Sequence, residues 1–144
     1  MMVSPSKQEE AFIRSHRVAR MATADRGGRP HVVPICYVYD GDAIYSAIDE
    51  KPKRASVSRL KRLRNLDENR HVALVIDDYH EEWSKLAFVM IQGEGKILLE
   101  GHEYQRAVTL LREKYPQYRT MRIGEEERPV IKIVPARIIS WGAV

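Results

Sequence analysis

The chain has a single cysteine, Cys36, so no disulfide can close within it. No apolar run approaches the roughly 20 residues a bilayer-crossing helix needs, and Met1 to Lys7 lacks the apolar stretch of a secretory signal. A cytoplasmic protein is therefore expected. Also missing are GxGxxG and the GxxxxGK phosphate loop, so any nucleotide has to be held by side chains and strand backbone. His16, His31, His71, His80 and His102 fall at no metal-ligand spacing, and no Ser, His and Asp grouping is readable from their order. No metal is expected. Repeats, low-complexity tracts and domain linkers are absent as well.

What remains is the composition of one globular domain spanning 1–144, with 44% apolar and 31% charged residues. The net charge is only +4, so its position matters more than its size. Lys51, Lys53, Arg54, Arg59, Lys61, Arg62 and Arg64 lie within one stretch that holds no acid. The acids gather elsewhere, at Asp77-Asp78, Glu81-Glu82 and Glu125 to Glu127. Such a local field suits a small anionic ligand better than a long polyanion, although most charge runs are merely solvated helix faces.

Ser6-Lys7-Gln8-Glu9 fits a capping box that opens a short helix ending near Ser15. Val18 to Ala24 and Pro30 to Tyr39 read as strands joined at Asp25-Arg26-Gly27-Gly28, and Asp40-Gly41-Asp42 turns the chain into a third, Ala43 to Ile48. After Pro52, Ser58 is placed to cap a helix with Val57, Leu60, Leu63 and Leu66 on one face. His71 to Ile76 and Lys85 to Leu99 are strand material, the latter bent at Gly93 and Gly95. His102 to Tyr115 carries an apolar stripe at helical spacing, and Val130 to Trp141 closes the chain as a strand pair or bent strand. Cys36, Tyr37, Tyr39 and Tyr45 read as strand packing rather than chemistry. About six strands without βαβ alternation predict a mainly β (α+β) fold, a six-stranded antiparallel split barrel with peripheral helices.

Arg20-Met21-Ala22-Thr23, Gly28-Arg29-Pro30-His31-Val32-Val33-Pro34-Ile35, the phrase from Arg64 to Leu74 and the ending Trp141-Gly142 together resemble the pyridoxamine 5'-phosphate oxidase-like superfamily of flavin and deazaflavin oxidoreductases. The likeness covers nearly the whole chain and is strongest to the branch that uses coenzyme F420. It implies a homodimeric split barrel with two cofactor sites across the interface, holding F420 or, alternatively, FMN. By position, Met21, Ala22 and Thr23 would edge the ring, Pro34 and Ile35 would offer backbone near its redox face, and Ser46, Ala47 and Ile48 would line the ribityl side. Lys61 and Arg62, then Lys53, Arg54 and Arg59, would meet the phosphate, where guanidinium forks grip oxygens without a glycine loop.

Trp83, in the loop Glu81 to Ser84, would reach the partner's cofactor; as a tryptophan beside a strand it would ordinarily be core. The implied activity is hydride transfer to or from a small conjugated organic molecule, with no membrane or nucleic-acid partner. Two alternatives stand beside it. One is a barrel of the same fold that binds flavin, F420 or haem without turnover. The other is a small basic nucleic-acid-binding barrel, against which the basic run lacks interleaved aromatics.

Overall fold

The computed structural model describes residues 3–48, 60–124 and 128–144. The capping box forms as read: Ser6 Oγ accepts from the Glu9 amide at 3.1 Å and Glu9 Oε1 accepts from the Ser6 amide at 2.9 Å, starting helix α1 (Lys7–Ser15). Strands β1 (Ala19–Ala24), β2 (Pro30–Ile35), β3 (Val38–Tyr39) and β4 (Ile44–Ala47) follow. Then come helix α2 (Lys61–Glu68), strands β5 (His71–Asp78) and β6 (Ala87–Leu98), helix α3 (His102–Lys114) and strand β7 (Val130–Gly142). The strands form one curled antiparallel sheet of seven, in the order β2-β1-β5-β6-β7-β4-β3.

Several expectations need correction. Among the described residues there are seven strands rather than six, because the run Pro30 to Tyr39 breaks at Cys36-Tyr37. The backbone amide and carbonyl of Tyr37 turn away from any ladder and bond the Tyr115 hydroxyl, at 2.9 and 2.8 Å. As a result β2 and β3 sit at opposite edges of the sheet, and the three-stranded meander read from the turns is two separate hairpins. Helix α2 begins after Leu60, two residues beyond the expected cap Ser58, which with Pro52 and Val57 lies outside the described residues. Of the two readings of Val130 to Trp141 the single strand is the one that forms, bonded to β6 on one side and β4 on the other.

Period-two alternation sorts the side chains of the central strands. Met21, Leu74, Ile76, Ile91 and Ile133 point inside the curl, where α1 adds Phe12 and Ile13 and α2 adds Leu63 and Leu66. A second core forms where α3 lays Tyr104, Ala107, Val108 and Leu111 over Val38, Tyr45, Ala47 and Val130. Cys36 packs, half-buried, against this second core, and Tyr37, Tyr39 and Tyr45 are all buried; Tyr39 and Tyr45 do so from strands, whereas Cys36 and Tyr37 lie in the break between β2 and β3. The expected bend in β6 is a register shift against β7 between Gln92 and Gly93. Only glycine fits there, since a Cβ on Gly93 would lie 2.1 Å from the Val134 carbonyl oxygen.

Candidate functional site

The bulge and the alternation together open a groove of about 590 Å³ on the outer face of the sheet. Its walls come from five strands, with Pro30 of β2, Ala22 and Thr23 of β1, His71 and Ala73 of β5, Gln92 of β6 and Arg137 of β7 among them. Ala22 pairs with Ala73, and Ala73 with Gln92, so the floor between β1 and β6 is built from small side chains. A flat aromatic ring can lie on such a floor where branched residues would hold it off. A smaller hollow of about 370 Å³ adjoins across Glu94 and Ala136, and is rimmed by the ion pair of Arg70 Nε with Glu94 Oε1 at 3.2 Å. The main volume lies within the few hundred to a thousand Å³ typical of small-molecule sites.

Helix α2 borders the groove with its C-terminal end, where Asn69 caps the last turn and lines the wall. Its buried Asn65 donates from Nδ2 to Thr23 Oγ1 at 3.0 Å, which ties the helix to β1 directly behind the groove. Lys61 and Arg62 stand at the opposite end, eight residues or about 12 Å along the axis at 1.5 Å per residue. Lys61 Nζ lies 3.8 Å from Oδ2 of the buried Asp25. The same carboxylate accepts from the Arg29 amide at 2.9 Å and from Arg29 Nε at 2.8 Å. These bonds, the amide first, hold the Asp25 carboxyl below the usual carboxylate range and keep it charged beside Lys61.

Beside Lys61 and Arg62 on α2, the expected site residues divide into four groups. Ala22 and Thr23 line the groove, although the buried Thr23 side chain turns inward to Asn65. Met21, Ile35, Ser46, Ala47 and Ile48 are buried, Met21, Ile35 and Ile48 in the inner core and Ala47 under α3, so their side chains face packing rather than the groove. Pro34 is exposed on β2 opposite Arg20, and Trp83 stands 71% exposed in a short 3-10 turn, Trp83–Lys85, between β5 and β6. The core reading of Trp83 is thereby overturned, while its exposure leaves it free to meet a partner. Lys53, Arg54 and Arg59 lie outside the described residues. Among the described residues no group of three or more His, Cys, Asp and Glu side chains could hold a metal ion.

Sequence reading missed His71, Ala73, Gln92 and Arg137. The signal was present: alternation along β5 and β6 puts residues 71, 73 and 92 on the face opposite the buried Val72, Leu74 and Ile91. What was lacking was the pairing order that lays β7 beside them.

Comparison with known proteins agrees with this architecture. A curated reductase of Streptomyces rimosus, named 5a,11a-dehydrotetracycline/5a,11a-dehydrooxytetracycline reductase, is 26% identical over 143 residues, covering 95% of this chain and 82% of that protein. Among solved structures, the haem storage protein HutZ of Vibrio cholerae superposes with a TM-score of 0.72 at 12% identity, over 95% of this chain and 94% of its own. One described as an F420 reductase superposes with a TM-score of 0.64 at 17% identity, over 94% and 98%. The family model for pyridoxamine 5'-phosphate oxidase matches residues 5–142, nearly every residue of the fold just described, and the chain belongs to that family.

Proposed function

We propose that the protein is a homodimeric oxidoreductase that binds F420, with FMN as the alternative, and transfers hydride to or from a small conjugated organic molecule. The observation that carries this reading is the reductase relative, aligned over 95% of the chain, together with a groove whose small-residue floor suits a flat ring. When bound, the cofactor supplies the hydride chemistry. The chain's own part is to orient and to desolvate. The alanine floor would set the ring plane, and the Asn65 to Thr23 bond would keep the wall behind it rigid. Lys61 and Arg62, about a helix length away, are spaced to meet the cofactor's anionic end, with Asp25 limiting how far the Lys61 ammonium strays. Gln92 and Arg137 are left to face the substrate or the cofactor's polar edge.

The dimer would bury the outer sheet face that this groove opens onto. Across β2, β1, β5, β6 and β7 that face presents Val32, Ala22, Ala73, Gln92 and Arg137 in one row and Pro34, Arg20, Val75, Met90 and Ile139 in the next. Val32 is 66% exposed and Trp141 55%, the latter stacked on Phe88 at 6.1 Å. Exposed apolar side chains gathered on one face, here Val32, Pro34 and Trp141, are the kind that an interaction surface covers.

Calorimetric titration with F420, with FMN and with a DNA oligonucleotide tests the reading. One saturable F420 or FMN site per subunit and negligible oligonucleotide binding at physiological salt are expected. Tight oligonucleotide binding without a cofactor signal would overturn it.

A further inference from the structure

We propose that Lys114 is a nucleophilic amine that captures a small anionic carbonyl compound, an aldehyde or 2-oxo acid, as an imine in a second groove. That groove, about 350 Å³, lies between α1, α3 and the β3–β4 turn, built from elements other than those of the sheet groove. Arg14, Tyr39, Asp40, Arg106, Glu113 and Lys114 line it. Lys114 Nζ is enclosed 4.0 Å above the Tyr37 ring and 5.4 Å from the Tyr115 ring, and it has no hydrogen-bond partner. A buried ammonium is ordinarily paired. Here only ring faces hold it, and its four-carbon stem can swing the nitrogen into the groove that the stem already lines.

The surroundings favour the neutral amine. Burial foremost, then the charge of Arg17 and last that of Arg14, pull Lys114 down to about 8, against an opposing effect of Cys36 that exceeds Arg14's. Arg17 also donates to the Lys114 carbonyl at 2.7 Å, which fixes it beside the lysine. The remaining charged groups at the groove are largely paired, Arg106 with Asp40 at 2.6 Å and Arg14 with Glu10 at 2.8 Å, and Glu113 is exposed to solvent. At pH 7.5 roughly a quarter of such an amine is unprotonated, against about one in a thousand for an ordinary lysine. The two guanidiniums keep further N–H donors beyond these pairs, able to hold the carboxylate of the incoming molecule. The nitrogen lone pair attacks the carbonyl carbon, the C–O bond breaks as water leaves, and a C=N bond to Lys114 forms. The step is not a redox change, and both N–H protons of the neutral amine leave in that water with the carbonyl oxygen.

The test is reductive trapping of the full chain with cyanoborohydride at pH 7.5, using glyoxylate and, separately, uncharged propanal, followed by peptide mapping. Glyoxylate is expected to label Lys114 at least about tenfold faster than exposed Lys7 or Lys85, the direction that the larger neutral fraction dictates. Arg106→Gln should slow glyoxylate labelling while leaving the propanal rate at Lys114 unchanged, whereas Arg14→Gln, which also removes a charge that favours the neutral amine, should slow both probes and glyoxylate the more. Labelling of Lys114 no faster than of Lys7 and Lys85 overturns the nucleophile. Equal slowing of both probes in both variants overturns the anion site.

Discussion

At Lys114 and the tyrosines around it, burial has opposite consequences for the two charge types. The lysine sits at about 8, below its ordinary 10.5, so its contribution to stability is complete above 10.5 and lost as pH falls through 8. Tyr115 is pushed up to about 12, chiefly by burial, and Tyr37 and Tyr45 higher still. Their contribution is complete below the ordinary 10.0 and lost above it. The melting temperature should therefore climb from pH 7 to roughly pH 9.5 and then fall. In Lys114→Met the acidic side of that maximum should flatten, with higher stability than the parent at pH 7, and calorimetric scans across pH check it. Lys61 and Arg62 belong to this scale too. Replacing either with Ala should weaken cofactor binding by roughly 1 to 3 kcal/mol, the range for a charge-assisted hydrogen bond, and added salt should act the same way. Unchanged affinity in the double variant would leave the basic run a solvated face.

Elements were legible where one local rule decided them. The capping box fixed the start of α1, and the apolar stripe fixed α3 to within a residue of its end. The glycines of β6 announced a bend, and the bend is there. Local rules failed at Cys36-Tyr37, where continuous apolar character read as strand but a hydroxyl from residue 115 takes both backbone groups of Tyr37. No window along the chain contains that partner. The same blindness hid Arg137 from the site, since its place beside Gln92 is a fact of sheet order. Gly93 offers the test at this scale. Gly93→Ala should destabilise the fold by on the order of 3 kcal/mol, because the new methyl meets backbone rather than a side chain that can yield. Denaturant titration measures it. A loss below about 1 kcal/mol would mean that the bulge relaxes freely.

For the whole molecule, family and fold class were readable because phrases spread from Arg20 to Trp141 kept their order, and order survives where single contacts cannot be seen. The cofactor's identity was not, since neighbours of this fold include both a haem storage protein and an F420 reductase. Assembly is the measurable property here. Light scattering should give about twice the 16.7 kDa of the chain at micromolar concentration. Changing Val32 to Glu should shift the mass towards one subunit and weaken cofactor binding with it, if the site is shared. A parent protein that is monomeric at that concentration removes the shared-site arrangement.

The place of β7 between β6 and β4 governs the order in which this molecule can be made. Until residues 130–142 arrive, β4 has only the two-residue β3 beside it, and one whole edge of β6 has no neighbour. The β1–β2 hairpin can form early, but the half of the sheet that carries α3 waits for the last strand, a non-local closure of the slow kind. A ribosome stalled before Val130 would therefore hold a chain with two open strand edges, each able to recruit a neighbouring copy.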